Sequence, residues 1–315
     1  MVEKRTIAVV GATGAQGGGL VRAILDDPEA PLRPRALTRN PQSDKAAELT
    51  RLGAEVVGAD LDDVESLKQA FRGAYGAYCV TNFWEHFSPE KELAQAANMA
   101  EAAKHTDLQH VIWSTLEDTR RWVPLDDDRM PTLQGRYKVP HFDAKGEAER
   151  LFIERGVPTT FLLTSFYWDN LIGFGLGPKR GADGVLTLTL PMGDKKLPGI
   201  AAEDIGKCAY GIFKAGGEFI RRTVGIAGEH LSGEEMASAL TKALGETVRY
   251  DEVSPETYRS LGFPGADDLG NMFQFKRDFE DQYRSARDPA KARALNPELQ
   301  NFGEWLARHK DQIPT

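Results

Sequence analysis

A short apolar run that leads into a glycine-rich turn, at residues 5–20, limits the fold of this chain more than any other feature. Residues 6–10, TIAVV, are apolar and partly β-branched, which is typical of a strand buried on both faces of a parallel sheet. Gly11, Gly14 and Gly17 follow and lead into an amphipathic helix. Such glycines permit a tight turn, close approach of the backbone to a pyrophosphate, and close helix–strand packing. The stretch predicts a nucleotide-binding turn, a GxxGxxG variant of the dinucleotide fingerprint; the alternative is a purely structural βα turn.

Composition and charge bound the class of protein. With 315 residues, 41% of them hydrophobic, the chain can form one large domain or two coupled ones. The net charge of −8 and the pI near 5.4 argue against a general nucleic-acid-binding surface, which needs a basic face. Cys79 and Cys208 lie far apart in sequence, so a reducing compartment is expected. The sequence predicts neither a signal peptide nor a membrane span.

After the first strand, apolar strands alternate with amphipathic helices. This alternation predicts βαβ units, and therefore an α/β fold with a doubly wound parallel sheet and helices on both faces. Ligands of such sheets bind at the carboxyl ends of the strands. The predicted strands are 6–10, 35–38, 54–58, 77–81, 110–114 and 158–163, and the predicted helices between them are 16–26, 43–52, 63–71, 89–105 and 143–155.

The segment 116–140 interrupts this alternation. It is long and polar and holds three prolines. Long segments of this kind inside a domain are usually functional, and its place after the fifth strand favours a lid over the expected ligand. The alternative is a solvated surface loop.

Beyond about residue 165 the alternation weakens, which predicts a second domain. We expect a nucleotide-binding domain at 1–164 with a returning segment near 196–227, and a smaller, mostly helical substrate or partner domain at 165–195 and 228–315. Helices are predicted at 202–214, 232–244, 254–261, 266–280 and 297–309, and two short strands within 185–200.

The end of the second strand indicates which nucleotide binds. Sites for NAD place a carboxylate there, whereas sites for NADP supply an arginine for the 2′-phosphate. Here the strand ends in Arg39 with no acid, which predicts NADP(H); the alternative is an ordinary exposed arginine. Asp60 ends the third strand, and Thr81 and Asn82 end the fourth. Each could contact the nucleotide or cap the next helix.

These residues resemble the NmrA-like family, and within it the HSCARG-type NADPH sensors, an atypical branch of the short-chain dehydrogenases. The resemblance implies a Rossmann core with a small C-terminal domain, NADP(H) in the cleft, and a cytoplasmic or nuclear protein. The matching blocks run through most of the chain: GATGAQGG at 11–18, TRNP at 38–41, GAEVV at 53–57, VTNFWE at 80–85, VPHFDAKGEAE at 139–149, GVPTT at 156–160, FYWDNL at 166–171 and GFPGADDL at 262–269.

Carried over position by position, the resemblance implies a set of cofactor contacts. Ala94 is a departure, because related sensors carry a lysine there and a phosphate contact is therefore missing. Together with the residues argued from the strand ends, the predicted cofactor-binding set is Gly11, Thr13, Gly14, Ala15, Gln16, Gly17, Arg39, Asp60, Thr81, Asn82, Lys145, Tyr167 and Asn170.

The catalytic pair of active short-chain dehydrogenases is altered in this sequence. Those enzymes carry Tyr-x-x-x-Lys on one helix face, where the lysine lowers the pKa of the tyrosine and holds the nicotinamide ribose. Here His141 replaces the tyrosine and Lys145 stands in its usual place. Either His141 donates a proton while NADPH gives a hydride, with Tyr137 as a second candidate donor, or the pair only binds. The resemblance favours binding.

The expected function is a redox sensor or regulator that changes conformation or partner binding with NADPH. The alternative is an NADPH-dependent reductase of quinones, imines or other small unsaturated compounds. The expected partner is a regulatory protein or a small substrate, not nucleic acid or membrane, and a homodimer is the default oligomer.

The six histidines show no metal-ligand spacing, so no metal site is predicted. A group of aromatic residues could line a pocket or pack in the core: Phe83, Trp84, Phe87, Phe166, Tyr167 and Trp168.

Overall fold

The computed structural model describes residues 4–315 and divides into two compact units. The first unit comprises the chain up to Asp118, then Asp143–Thr164 and Glu203–Val224. The second unit comprises Thr119–Phe142, Ser165–Ala202 and Gly225–Thr315. Each unit is therefore built from three separate stretches of the chain.

The first unit is organised around a seven-stranded sheet. Its strands are β1 (Arg5–Val9), β2 (Leu32–Thr38), β3 (Glu55–Gly58), β4 (Gly76–Cys79), β5 (His110–Thr115), β6 (Thr159–Leu163) and β11 (Thr223–Gly225). They follow the order β11-β6-β5-β4-β1-β2-β3, in which neighbours from β3 to β6 pair in parallel and β11 lies at the edge. The strands β4 and β5 are buried along their whole length, as expected for central strands of a parallel sheet with helices on both faces. The predicted doubly wound Rossmann sheet is confirmed.

Three helices of the first unit begin where the sequence supplies a side-chain cap. They are α1 (Ala15–Leu25), α2 (Asp44–Arg51), α3 (Val64–Phe71), α4 (Pro89–His105), α5 (Pro140–Glu154) and α7 (Ala202–Lys214); the first turn of α5 belongs to the second unit. Ser43, Asp63 and Ser88 accept hydrogen bonds from first-turn amides of α2, α3 and α4. Over residues 4–315, no helix has both the length and the apolar character needed to cross a membrane.

Helices α1 and α7 approach each other through glycine. A Cβ added to Gly206 of α7 would lie 2.1 Å from the backbone nitrogen of Leu20, and one added to Gly19 of α1 would lie 2.4 Å from the carbonyl oxygen of Glu203. The two backbones are therefore in direct contact. The returning segment holds the helix that follows the glycine-rich turn.

The second unit combines helices with two three-stranded sheets. Its elements are β7 (Phe166–Tyr167), α6 (Asn170–Gly173), β8 (Lys179–Arg180), β9 (Leu186–Leu190), β10 (Leu197–Ile200), β12 (Glu229–Leu231), α8 (Gly233–Leu244), β13 (Val248–Glu252), α9 (Pro255–Arg259), α10 (Ala266–Asp278), α11 (Glu280–Ser285), α12 (Pro289–Leu295) and α13 (Phe302–His309). The sheets are ordered β12-β10-β7 and β13-β9-β8. Trp168, Phe302 and Trp305 form an aromatic core, with the rings of Phe302 and Trp305 stacked 5.9 Å apart.

Most of the segment predicted as a lid, 116–140, belongs to the second unit, where some of its residues are buried and others are exposed. Met130, Tyr137 and Lys138 are buried. Asn271 on α10 donates hydrogen bonds to the carbonyls of Pro131 and Lys138, and nearby Gln274 donates to another carbonyl of the segment. These side-chain bonds satisfy backbone carbonyls that a loop without secondary structure leaves unpaired. Its movement as a lid stays a prediction.

The domain boundaries differ from those predicted. Residues 119–142 lie in the second unit and not in the 1–164 domain, and the returning segment is 203–224, shorter than 196–227. The second unit is nearly as long as the first and contains more sheet than expected. Several of its strands have two or three residues, too few to show a period of two.

A buried histidine in the first sheet gives the fold a dependence on pH. His110 on β5 is fully buried, and its Nε2 lies 2.8 Å from the Thr160 hydroxyl oxygen on β6. That hydroxyl donates its own proton to the carbonyl of Phe219, so it accepts from His110. Burial lowers the pKa of His110 to about 4.

We expect His110 to destabilise the protein in acid. The pKa of a histidine in the unfolded chain is about 6.5. The unfolded chain therefore gains a proton between pH 6.5 and pH 4 that the folded protein does not, and the free energy of unfolding should fall by up to ~1.4 kcal/mol per pH unit there. The free energy of unfolding, measured by urea denaturation between pH 4 and pH 6.5, should change less with pH in His110→Gln than in the parent protein. The exposed control His105→Gln should keep the pH dependence of the parent. Equal slopes for both variants would contradict the assignment.

Candidate functional site

The glycine-rich turn connects β1 to α1 and exposes the start of the helix. Gly11 has φ +65°, a conformation that favours glycine, and a Cβ on Gly17 would lie 2.5 Å from the carbonyl oxygen of Gly11. The N-cap of α1 is Gly14, which has no side chain to occupy the first-turn amides. Amides and helix dipole at such an end attract anions. Thr13 and Ala15 lie in the same turn.

Gln16 connects the turn to the two central strands. Its side-chain oxygen accepts hydrogen bonds from the Tyr78 hydroxyl at 2.5 Å and the Ser114 hydroxyl at 2.9 Å. Tyr78 lies on β4 and Ser114 on β5. These bonds fix the Gln16 side chain over the sheet, a role that sequence reasoning did not find.

Arg39 follows β2 and is held by a carboxylate. Its guanidinium forms a hydrogen-bonded ion pair with Glu85, in the 3₁₀ turn after β4, and the Arg39 side chain is 66% exposed. The Glu85 hydrogen bond and charge raise the pKa of Arg39, with smaller contributions from Asp60 and Asp62. The arginine that was predicted to bind a phosphate therefore lies in an acidic environment. A phosphate must compete with Glu85 for it.

The side chains of the other strand-end residues make no capping hydrogen bond to the helices that follow. The Asp60 carboxylate accepts a hydrogen bond from the Asp62 backbone N–H at 2.9 Å, and Asp63 caps α3. Asn82 is exposed at the start of the 3₁₀ turn, and Ser88 caps α4. Asp60 and Asn82 therefore lie at the carboxyl edge of the sheet, where nucleotide contacts are predicted.

Lys145 on α5 lies among three oxygens of the first unit. Its Nζ is 3.1 Å from the Thr81 carbonyl oxygen, 2.7 Å from the Thr81 hydroxyl oxygen and 2.7 Å from Glu92 Oε1. The Thr81 hydroxyl donates to the same Glu92 oxygen at 2.6 Å. Glu92, on α4, is fully buried. A buried carboxylate therefore neutralises Lys145, and no sequence signal marked it.

His141 belongs to the second unit although it shares α5 with Lys145. Its Nδ1 lies 2.6 Å from Asp268 Oδ1, and its backbone N–H donates to the other carboxylate oxygen of Asp268. Both side chains are almost fully buried. His141 is thus held by a carboxylate of α10, and Tyr137 is also buried in this unit.

Tyr167 and Asn170 also belong to the second unit, Tyr167 in β7 and Asn170 at the start of α6. Of the predicted aromatic pocket residues, Phe166 and Trp168 are buried in the core of that unit, and Phe83 is buried in the first unit. Trp84 and Phe87 pack edge to face beside Phe83, and Phe87 is 40% exposed with φ 54°. The predicted cofactor-binding residues that lie in the first unit are Gly11, Thr13, Gly14, Ala15, Gln16, Gly17, Arg39, Asp60, Thr81, Asn82 and Lys145.

Similarity to known proteins extends over almost the whole chain. The pattern that defines the NmrA-like family matches residues 3–306. The chain belongs to the NmrA-like family. This NmrA-like protein is 28% identical over 310 residues to the NmrA-like family domain-containing oxidoreductase FrzB of Cladobotryum sp, a match that covers 91% of this chain and 88% of that relative.

Solved structures share the fold of this NmrA-like protein. The negative transcriptional regulator NmrA in complex with NADP superposes with a TM-score of 0.77 at 24% identity, covering 97% of this chain and 95% of that one. The same regulator has been solved with NAD. The Citrobacter sp. triphenylmethane reductase complexed with NADP(H) superposes with a TM-score of 0.75 at 19% identity, covering 96% and 99% of the two chains.

Proposed function

We propose that this NmrA-like protein binds NADP(H) at the carboxyl edge of the first sheet and acts as a redox sensor or regulator. Gly14, the N-cap of α1, has no side chain that could occupy the first-turn amides, which we propose bind the pyrophosphate. We propose that Arg39 holds the 2′-phosphate and Lys145 the nicotinamide ribose. The bound nucleotides of the NmrA regulator and the triphenylmethane reductase support this assignment.

One observation favours sensing over catalysis: a carboxylate is bonded to each residue of the altered catalytic pair, His141 and Lys145. Asp268 holds His141, and the buried Glu92 neutralises Lys145. In an active pair, the uncompensated charge of the lysine favours ionisation of the neighbouring proton donor. A lysine ammonium 2.7 Å from a fully buried carboxylate supplies little net field. The geometry therefore supports binding of a nucleotide more than transfer of a proton.

A sensor needs two conformations that differ in their affinity for NADPH. Binding of NADPH then shifts the population toward one conformation, whereas NADP⁺ or the absence of nucleotide does not. We propose that NADPH binding shifts such an equilibrium and changes the affinity for a regulatory protein partner or for a second copy of the chain. We propose that this protein and its partner act in the cytoplasm or nucleus. Hydrogen exchange with NADPH, with NADP⁺ and without nucleotide tests this, because identical protection in all three would oppose sensing.

The alternative function is an NADPH-dependent reductase of quinones, imines or other small unsaturated compounds. The oxidoreductase name of the Cladobotryum relative favours it. When bound, NADPH would supply a hydride. Incubation with a panel of quinones, aldehydes and imines separates the two functions: a sensor leaves the absorbance of NADPH unchanged. Substrate-dependent loss of that absorbance, reduced strongly in Lys145→Ala, would favour the reductase.

Arg39 is expected to set the preference for NADPH over NADH. A charge-assisted hydrogen bond contributes roughly 1.5–3 kcal/mol, so Arg39→Ala should weaken NADPH binding about 10- to 100-fold and leave NADH binding almost unchanged. Glu85→Gln should strengthen NADPH binding up to about fivefold, since an exposed ion pair is worth about 1 kcal/mol at most. Calorimetric titration of both nucleotides measures these changes. Arg150→Ala, at another exposed ion-paired arginine, is the control; equal affinities of the parent protein for the two nucleotides would contradict the NADP assignment.

A further inference from the structure

The environment of Lys145 leaves the ammonium no spare donor. An ammonium group has three N–H donors. The three neighbouring oxygens, two from Thr81 and one from Glu92, lie within 3.1 Å of Nζ and account for all three. Lys145 can therefore bond a further acceptor only if it gives up one of these oxygens.

Only one of the two carboxylate oxygens of Glu92 accepts a hydrogen bond within residues 4–315. Its Oε1 receives the Lys145 ammonium and the Thr81 hydroxyl. Its Oε2 lies 3.6 Å from Nε2 of His86, beyond hydrogen-bond length. Both of these atoms are buried, and among residues 4–315 neither has a hydrogen-bond partner. A movement of roughly 0.6 Å would join them at an ordinary N–H···O distance.

The hydrogen bonding of His86 determines which atom it presents to Glu92. Its Nδ1 accepts a hydrogen bond from the Ser88 backbone N–H at 3.1 Å, so Nδ1 carries no proton. Burial lowers the pKa of His86 despite the opposing charge of Glu92; Lys91 also lowers it, while Glu85 and Asp62 raise it. The ring is therefore neutral near pH 7 with its proton on Nε2, the atom that faces Glu92 Oε2.

We propose that Glu92 and His86 are a positioning pair that releases Lys145 to the cofactor. Lys145 turns one N–H from Glu92 to the nicotinamide ribose, and His86 then donates its Nε2–H to the carboxylate in its place. Glu92 thus keeps its number of donors when the lysine is recruited, which a fully buried carboxylate requires. This inference rests on the proposed NADP(H) function. Neither residue touches the nucleotide in this scheme.

Two ligands separate this role from a general structural one. NADPH contains the nicotinamide ribose, whereas 2′,5′-ADP has the adenine end alone. Calorimetric titration should show NADPH binding weakened 10- to 100-fold in His86→Phe, because the replacement donor is lost, and binding of 2′,5′-ADP changed less than twofold. His86→Gln keeps a donor near the position of Nε2 and should recover most of the NADPH affinity. In the background Glu92→Gln, His86→Phe should have no further effect on NADPH.

A nitrogen NMR signature adds a readout that does not depend on affinity. The Nε2–H resonance of His86 should shift on addition of NADPH, as it enters a hydrogen bond, and should not shift with 2′,5′-ADP. If the parent protein binds neither ligand, the NADP(H) function itself fails and the pair fails with it. If both ligands bind but His86→Phe weakens both equally or neither, or the resonance does not respond to NADPH, the positioning role is overturned and the NADP(H) function stands.

Discussion

Replacement of Lys145 by methionine is expected to lower the free energy of unfolding by about 3–5 kcal/mol, because removal of one partner of a buried ion pair leaves the other charge uncompensated. The side chain of Glu92 is fully buried and that of Lys145 is 12% exposed, so water cannot replace the ammonium well. Chemical denaturation at pH 7 measures the loss. Calorimetry on the same variant should show NADPH binding weakened at least tenfold.

The double variant Lys145→Met with Glu92→Gln separates stability from binding. The amide introduced in place of the Glu92 carboxylate would be neutral and could still accept the hydrogen bond of the Thr81 hydroxyl. Most of the lost stability should therefore return, while the NADPH affinity should stay low because the ammonium is still absent. A Lys145→Met protein as stable as the parent would show that Glu92 does not depend on this charge.

The second large effect is expected at Gly206, where alanine should lower the free energy of unfolding by about 3 kcal/mol, the upper end of the usual cost of overpacking. The added Cβ would overlap the backbone of α1, at 2.1 Å from the Leu20 nitrogen and 2.5 Å from the Gln16 carbonyl oxygen. Backbone atoms cannot turn away as a flexible side chain can, so the two helices must separate. Thermal or urea unfolding measures the cost.

Gly217→Ala is the matched control for Gly206→Ala. It lies in the same returning segment, and its added Cβ would meet only Ile220 Cδ1, at the ordinary distance of 3.8 Å. This variant should change the free energy of unfolding by less than about 1 kcal/mol. Similar losses for both variants would mean that the contact between α1 and α7 does not determine the effect.

Long elements with local start signals were predictable from sequence. Helix 89–105 has its predicted bounds, and in the structure Ser88 caps it and Pro89 is its first residue. Helix 202–214 also has its predicted bounds. Strand β13 was missed because its segment, VRYDE, carries three charged residues and is mostly exposed. Pairing with β9 fixes that strand, and such pairing is not visible in a local window.

The candidate site was predictable where its chemistry is local. The glycine-rich turn and Arg39 were predicted from residue type and from their places after the first and second strands. Lys145 was predicted from the altered Tyr-x-x-x-Lys pair and from the family resemblance. The residues that contact them, such as Glu92, could not be predicted, because contact between distant residues depends on the folded sheet. Glu92 belongs to a polar helix and Lys145 lies 53 positions later (145 minus 92), yet their charged atoms are 2.7 Å apart. The motif indicated a lysine and could not indicate that a carboxylate neutralises it.

The discontinuous first unit also has a consequence for the order in which the chain becomes structured during synthesis. A ribosome delivers the chain from its N-terminus, but the edge strand β11 and the helix whose Gly206 contacts α1 come from residues 203–224. Two stretches of the second unit, 119–142 and 165–202, are made before them. Until then the edge of β6 and one side of α1 remain uncovered, the kind of surface on which nascent chains aggregate. The helix that follows the glycine-rich turn therefore gains its backbone contact with α7 only after residues 203–224 have been made.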